Sequence, residues 1–286
     1  MMPSVETLPF QPPFDWKGLL SFFAPRAIPG VEAIEGDVLR RSFRSGSSSS
    51  CIEIRAVEGE PRLELKVWGQ TSSEIRPLAA RVLDLDTNPN EIKAKLGGDL
   101  TVGPLLDCWP GIRLPGAWDG FEMGVRAILG QQVSVKAAHT LAGRIVAQFG
   151  HPYLSPFPSV TKLFPLAEEM AQVPIEDLAA VGITRKRAET LHHFAEWSSL
   201  KAEDRGPLLD LPGIGPWTES YLRMRGNSDR NAFPAGDLGI QKALGIQGLG
   251  PVKAAREAER LSAAWAPLRA YAVFLLWRSL SPREDS

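Results

Sequence analysis

Leu208-Leu-Asp-Leu-Pro-Gly-Ile-Gly-Pro-Trp-Thr-Glu-Ser-Tyr221 is the stretch on which the reading of this chain turns. Pro212-Gly213-Ile214-Gly215 predicts a tight turn between two helical runs. Pro216 suits the first position of the second helix, where a missing N–H costs nothing. Gly213 and Gly215 let the backbone turn with its amides exposed, and amides at a helix N-terminus can hold a phosphate without any lysine. On the physics alone, an ordinary helix–helix connection explains the same turn equally well. The Gly-x-Gly does not follow a strand, so a dinucleotide-binding fold gains no support from it.

Downstream, Asn231-Ala-Phe-Pro-Ala-Gly-Asp237 leads into another helical pattern, with Asp237 placed to cap it. A helix start favours negative charge, which suits Asp237 to stabilising a cation and not to donating a proton. Upstream, Asp119 and Glu122 have capping-box spacing before Phe121, Val125, Ile128 and Leu129, which recur at helical period. Ser134 predicts the cap of a helix stopped by Gly150, Pro174 opens a short helix before Gly182, and Thr184 caps one through Trp197. Val252–Trp265 and Leu268–Leu280 read as two further helices.

The first part of the chain has another texture. Runs at Asp37–Phe43, Cys51–Glu58 and Arg62–Trp68 alternate with period 2, as strands with one buried face do. Gly46-Ser-Ser-Ser-Ser and Glu58-Gly-Glu-Pro supply turns, and helices are expected near Asp15–Phe23 and Ser73–Leu85. The fold class is therefore α+β: an amino-terminal antiparallel sheet with helices over residues 1–112, then an all-α domain over residues 113–286.

Composition narrows the function. The 286 residues are 44% hydrophobic and 23% charged, enough for two real cores. No stretch approaches the roughly 20 apolar residues of a membrane helix, and the start lacks a basic region followed by an apolar one. Cys51 and Cys108 are the only cysteines. They cannot build a four-thiolate metal site or a disulfide framework, and a soluble protein of a reducing compartment is expected. The formal net charge of −1 argues against a general polyanion binder, but backbone amides and local patches can still hold phosphates. Arg185-Lys186-Arg187 is the best such patch, although a run of this kind also reads as a solvated helix start. His139, His151, His192 and His193 show no metal-triad spacing.

Leu211-Pro-Gly-Ile-Gly-Pro-Trp-Thr, with Asp237 lying 22 residues beyond Gly215, resembles the helix–hairpin–helix DNA glycosylase superfamily. Gln11-Pro-Pro-Phe-Asp-Trp, the run from Phe121 through Gly-Gln-Gln-Val-Ser-Val135, and Leu268–Trp277 are similar to its alkylation-repair branch, the 3-methyladenine glycosylases. The resemblance implies a monofunctional glycosylase that flips a base and hydrolyses the N-glycosidic bond of cationic alkylated purines, initiating base excision repair. It makes Asp237 the catalytic carboxylate and places Trp217, Tyr221, Trp277, Phe22 and Gln131 around the base. It assigns phosphate contacts to Gly213, Gly215 and Thr218, and a monovalent cation (Na or K) to the carbonyls of Leu209, Leu211 and Ile214. No iron–sulfur cluster is implied, since the cysteines it needs near the C-terminus are missing. Trp217 stands where strand-cutting members carry a lysine, so no Schiff base can form there. Gln132 occupies the wedge position that holds leucine in relatives, and Pro216 stands where a basic residue can occur. The implied partner is double-stranded DNA with alkylated bases, bound by a cytoplasmic, bacterial, nucleoid-associated monomer with no membrane contact. Two other readings compete: a non-catalytic damage-binding module, and a glycosylase for deaminated or oxidised bases.

Overall fold

The computed structural model describes residues 2–45, 48–69 and 73–280. In chain order, β1 (Ser4–Pro9) and α1 (Trp16–Phe23) precede β2 (Glu32–Glu35), β3 (Val38–Ser45), β4 (Ser48–Ala56) and β5 (Arg62–Gly69). Then follow α2 (Ile75–Val82), α3 (Pro89–Leu96), α4 (Gly103–Cys108), α5 (Gly120–Gly130) and α6 (Val135–Phe149). A two-residue ladder pairs β6 (His151–Pro152) with β7 (Lys162–Leu163), before α7 (Ala167–Met170), α8 (Ile175–Ala180) and α9 (Arg185–Ser199). The chain continues through α10 (Pro216–Gly226), α11 (Leu238–Ala243), α12 (Pro251–Ser262) and α13 (Arg269–Ser279).

The contacts divide the chain into two interleaved units. One takes residues 1–9, 16–80 and 118–215; the other takes 10–15, 81–117 and 216–286. Each draws on both sides of residue 112.

The first unit holds an antiparallel sheet of order β1-β5-β4-β3-β2. On β5, Leu63, Leu65 and Val67 alternate inward as period 2 predicts, opposite Leu8 on β1 and Ile52 and Ile54 on β4. The central strand β4 differs from the expectation of a single buried face: Cys51 and Glu53 are buried as well. Its other side is covered from later in the chain. Trp68 meets Phe157 edge-on at 4.9 Å, Arg40 lies 4.4 Å from the same ring, and the Ser42 hydroxyl donates to the Lys162 carbonyl at 2.6 Å. The serine turn expected at residues 46–50 falls partly at 46 and 47, outside the described residues; Ser48–Ser50 belong to β4.

The caps at Ser134 and Thr184 form as the sequence predicts, accepting from the amides of Ala137 and Arg187. Asp119 accepts from the Glu122 amide at 2.7 Å, but only this half of the expected capping box exists. The Glu122 side chain is buried in an ion cluster instead. Arg41 on β3 contacts Glu122 and donates to Glu32 at 2.7 Å, while Arg126 donates to Glu122 at 2.7 Å and Glu32 at 3.2 Å. Burial raises a carboxyl pKa, yet Arg41 and Arg126 overcome it and hold Glu122 down at about 2.

The second unit is helical. Arg113, 2% exposed, donates to the carbonyls of Gln11 (2.6 Å) and Pro13 (3.1 Å) and to those of Gly111 and Ile112. The Gln11-Pro-Pro-Phe motif is thereby tied to this unit. Half-buried Asp84 accepts from Thr87, from the Leu114 amide and from the Tyr271 hydroxyl of α13. Burial pushes the Asp84 carboxyl up, against the pull of those hydrogen bonds.

The depressed Glu122 carboxyl makes stability depend on pH. Its contribution is complete above the ordinary carboxylate value and is lost as pH falls from 4.5 towards about 2. Glu122→Gln leaves Arg41 short of a buried partner and lowers stability by about 3 kcal/mol at neutral pH. In urea titrations across pH, the variant shows a shallower acid decline than wild type.

Candidate active site

The second unit concentrates the chemistry-bearing residues. Asp237 caps α11, its Oδ1 accepting from the Ile240 amide at 2.9 Å. The same oxygen accepts from Trp277 Nε1 at 2.9 Å, and Oδ2 accepts from Trp217 Nε1 at 3.0 Å. Three N–H groups from α10, α11 and α13 thus fix one carboxylate, and an ionised carboxylate is an acceptor only. The loop leading to it is also pinned: Arg269 donates to the Asn231 carbonyl and side chain, the Ala270 amide donates to Arg230, and Gln241 donates to the Ala235 carbonyl.

The aromatic residues surround this carboxylate. Trp217 and Tyr221, four apart on α10, stack at 5.2 Å and 20°; Tyr221 and Trp277 lie 6.2 Å apart at 45°. Phe274 supports Trp277 edge-on at 5.1 Å. Trp217, Tyr221, Trp277 and Asp237 are all half-buried, so their faces are not enclosed as a core would enclose them. Sequence reasoning missed Arg225, one helical turn after Tyr221. Its buried guanidinium donates to the Tyr221 hydroxyl at 3.2 Å and to the carbonyls of Pro115 and Gly116, fixing the ring's attitude. The i,i+4 spacing was the available signal.

The other expected residues belong to the first unit. Phe22 is half-buried, with the Arg26 guanidinium 3.9 Å from its ring centre. Gln131 ends α5, donating Nε2–H to the Gly213 carbonyl at 3.0 Å, and its own carbonyl accepts from Arg187 at 2.7 Å. Gln132 is exposed in the left-handed region at φ 55°.

The Pro212–Gly215 turn is present, but a single 3-10 turn, Leu208–Asp210, precedes it in place of a full helix. Gly213 has φ 86°, and a Cβ there would lie 2.0 Å from Thr190 Oγ1, so only glycine fits. Neither Gly213 nor Gly215 donates its amide to a backbone acceptor among the described residues. Thr218 is 2% exposed, which removes its hydroxyl from the surface where a phosphate was expected. In the basic run, Arg185 pairs at the surface with Glu176 and Glu189, Lys186 is exposed, and Arg187 donates to the Gln131 carbonyl. As cation donors, the carbonyls of Leu209, Leu211 and Ile214 are neutral hard oxygens; Leu211 accepts one N–H, from Ile214 at 3.1 Å, and retains a second lone pair. No cluster of His, Cys, Asp or Glu suited to a metal occurs among the described residues, nor any helix long and apolar enough to cross a membrane.

Residues 5–119 match the AlkA N-terminal domain, and residues 125–267 match the HhH-GPD superfamily base excision DNA repair proteins. The chain is 34% identical to DNA-3-methyladenine glycosylase 2 of Escherichia coli, over 95% of this chain and 96% of that protein. It is also 34% identical to a probable bifunctional transcriptional activator/DNA repair enzyme AlkA of Mycobacterium tuberculosis, over 96% of this chain. It spans only 56% of that longer relative. Among solved structures, 3-methyladenine DNA-glycosylase from Archaeoglobus fulgidus superposes with a TM-score of 0.80 at 22% identity, covering 95% of this chain and 97% of the other. That likeness establishes the α+β fold.

The Gly213 geometry predicts that Gly213→Ala lowers stability by about 2–4 kcal/mol, from strain and overlap together. Adding Thr190→Ala recovers the overlap but leaves the roughly 1 kcal/mol backbone share. Thermal unfolding of the single and double variants checks the split.

Proposed function

The chain belongs to the HhH-GPD superfamily of base excision DNA repair proteins, and on that premise we propose that it is a monofunctional DNA glycosylase for alkylated purines. The observation that carries the reading is the Asp237 carboxylate, held by two indole N–H groups beside a half-buried Trp217–Tyr221–Trp277 series.

The chemistry suits this arrangement. The bond between C1′ and the base nitrogen breaks, and its electron pair leaves with the base. An N3- or N7-alkylated purine is cationic in the duplex and departs neutral, so no general acid is required. Asp237 stabilises the oxocarbenium-like charge and orients a water, whose oxygen bonds to C1′ and whose proton passes to solvent. A single carboxylate is enough for such a leaving group.

Recognition rests on the aromatic faces. Each attracts a cationic purine by roughly 0.5–2 kcal/mol, and weak pairing of the damaged base lowers the cost of flipping it. Gln132 enters the gap left in the duplex. The Gly213 and Gly215 amides hold one phosphate of double-stranded DNA. The carbonyls of Leu209, Leu211 and Ile214 would hold a Na or K ion beside it; such an ion supplies positive charge that the engaged arginines do not. With Trp217 in the lysine position the product is an intact abasic strand. We place this catalytic part after residue 112 and the enzyme, as a monomer, in the bacterial cytoplasm on the nucleoid.

Free 3-methyladenine released from methylated duplex by wild type, with strand breaks only after alkali, is the expected result. No release by a folded, DNA-binding protein overturns it. Asp237→Asn lowers release by about three orders of magnitude. Asparagine keeps the cap on Ile240 through its one oxygen but sets its NH2 against the Trp217 indole N–H, so stability falls by about 1–2 kcal/mol while the fold and duplex binding persist. Trp217→Phe keeps a ring but removes the donor on Oδ2. It slows release about tenfold while the preference for cationic over neutral lesions persists in competition assays.

A further inference from the structure

Two segments of the first unit that face DNA in the reading above are the turn after α5, with Gln132, and the glycine turn at Gly213. They lie 82 residues apart in sequence and are joined by one side chain: Gln131 Nε2 donates to the Gly213 carbonyl at 3.0 Å. Gln131 is itself held from α9, where Arg187 donates to its carbonyl at 2.7 Å. The same helix bears Thr190, whose hydroxyl would lie 2.0 Å from a Cβ on Gly213. Helix α9 therefore touches both turns within a single helical turn of its own length. Beyond this link, Gln132 takes φ 55°, a conformation costly for a side chain of its size, and it persists only where surrounding contacts dictate it.

We propose that Arg187 is a positioning residue for base extrusion: acting through Gln131, it fixes the wedge turn at Gln132 to the phosphate-binding turn at Gly213. The proposal rests on the glycosylase reading for the roles of the two turns, and it replaces the phosphate contact that the basic run 185–187 suggested. A guanidinium bonded to a peptide carbonyl makes a strong, charge-assisted contact, and its loss frees the 131–134 turn to sample other conformations. Anchoring of the phosphate and entry of the wedge then cease to be one rigid step. Arg187 touches no reacting atom, so the effect falls on extrusion and not on bond cleavage.

The test uses the full chain and a duplex carrying 2-aminopurine, whose fluorescence rises when it leaves the stack. The variants are Arg187→Met, Arg185→Met as a charge control on the same helix, Gln132→Ala, and the double variant Arg187→Met/Gln132→Ala. At saturating protein, Arg187→Met reduces the rise about fivefold or more, as loss of a charged hydrogen bond does, whereas Arg185→Met stays within about twofold. Because Arg187 acts through the wedge turn, its substitution changes the signal by less than about 1.5-fold once Gln132 is alanine. Gln131→Glu, which sets a carboxylate against the Gly213 carbonyl, reproduces the loss and serves if Arg187→Met fails to fold. A wild-type rise in Arg187→Met, an equal loss in the alanine background, or no rise in wild type overturns the proposal. Failure of the glycosylase reading shows separately, as absence of free 3-methyladenine from methylated DNA, because the fluorescent duplex carries no alkyl group.

Discussion

One carboxylate with three N–H donors organises the second unit. Asp237 accepts from its own helix, from Trp217 on α10 and from Trp277 on α13, so each of the three helices is constrained by the same two oxygens. An N-cap needs only one of these bonds. The two indoles hold the carboxylate in a single rotamer and at the same time fix the planes of the rings. Charge stabilisation is most effective when the stabilising group need not reorganise, and here the cation-attracting faces and the anionic oxygens are positioned by shared hydrogen bonds. Arg225 carries the constraint one ring further, through the Tyr221 hydroxyl.

Both units depend on buried arginines that gather distant chain. Arg113 collects the carbonyls of residues 11, 13, 111 and 112, and Arg41 sits between Glu32 and Glu122. A guanidinium can satisfy several acceptors in one plane, which makes it suited to closing junctions where the backbone forms no regular ladder. Buried charge of this kind is weak evidence for net stability. It does discriminate sharply against misplacement, because removing one partner strands the other.

Much of this was legible in the sequence, for identifiable reasons. Strands β3, β4 and β5 showed themselves by period 2, and the caps Ser134, Thr184 and Asp237 by their position before apolar periodicity. The glycine turn was visible because only glycine tolerates its geometry. β1 and β2 were not read: β1 is an edge strand with Leu8 alone fully buried, and β2 is four residues long. Helix α3 buries only Pro89, Ile92 and Leu96 among polar and charged neighbours, and α4 has six residues, so neither shows a clear period. The donors on Asp237 were hidden in another sense. The motif names the rings at 217 and 277 but says nothing of where an indole N–H points across 40 residues. Likewise, Glu122 looked like half of a capping box because the competing arginine lies 81 residues away.

The interleaving of the two units bears on how the chain acquires its shape during synthesis. Residues 10–15 and 81–117 emerge from the ribosome early, yet their partners in the second unit begin at residue 216. The sheet must likewise wait for residues 118–215, because the covering face of β4 comes from the segment around Phe157. Neither unit can finish before its last segment, 118–215 or 216 onward, has been made, and apolar surface stays unpaired until then. Such high-separation closure is slow and exposes the nascent chain to aggregation. The order in which its pieces are threaded therefore sets when that apolar surface is covered.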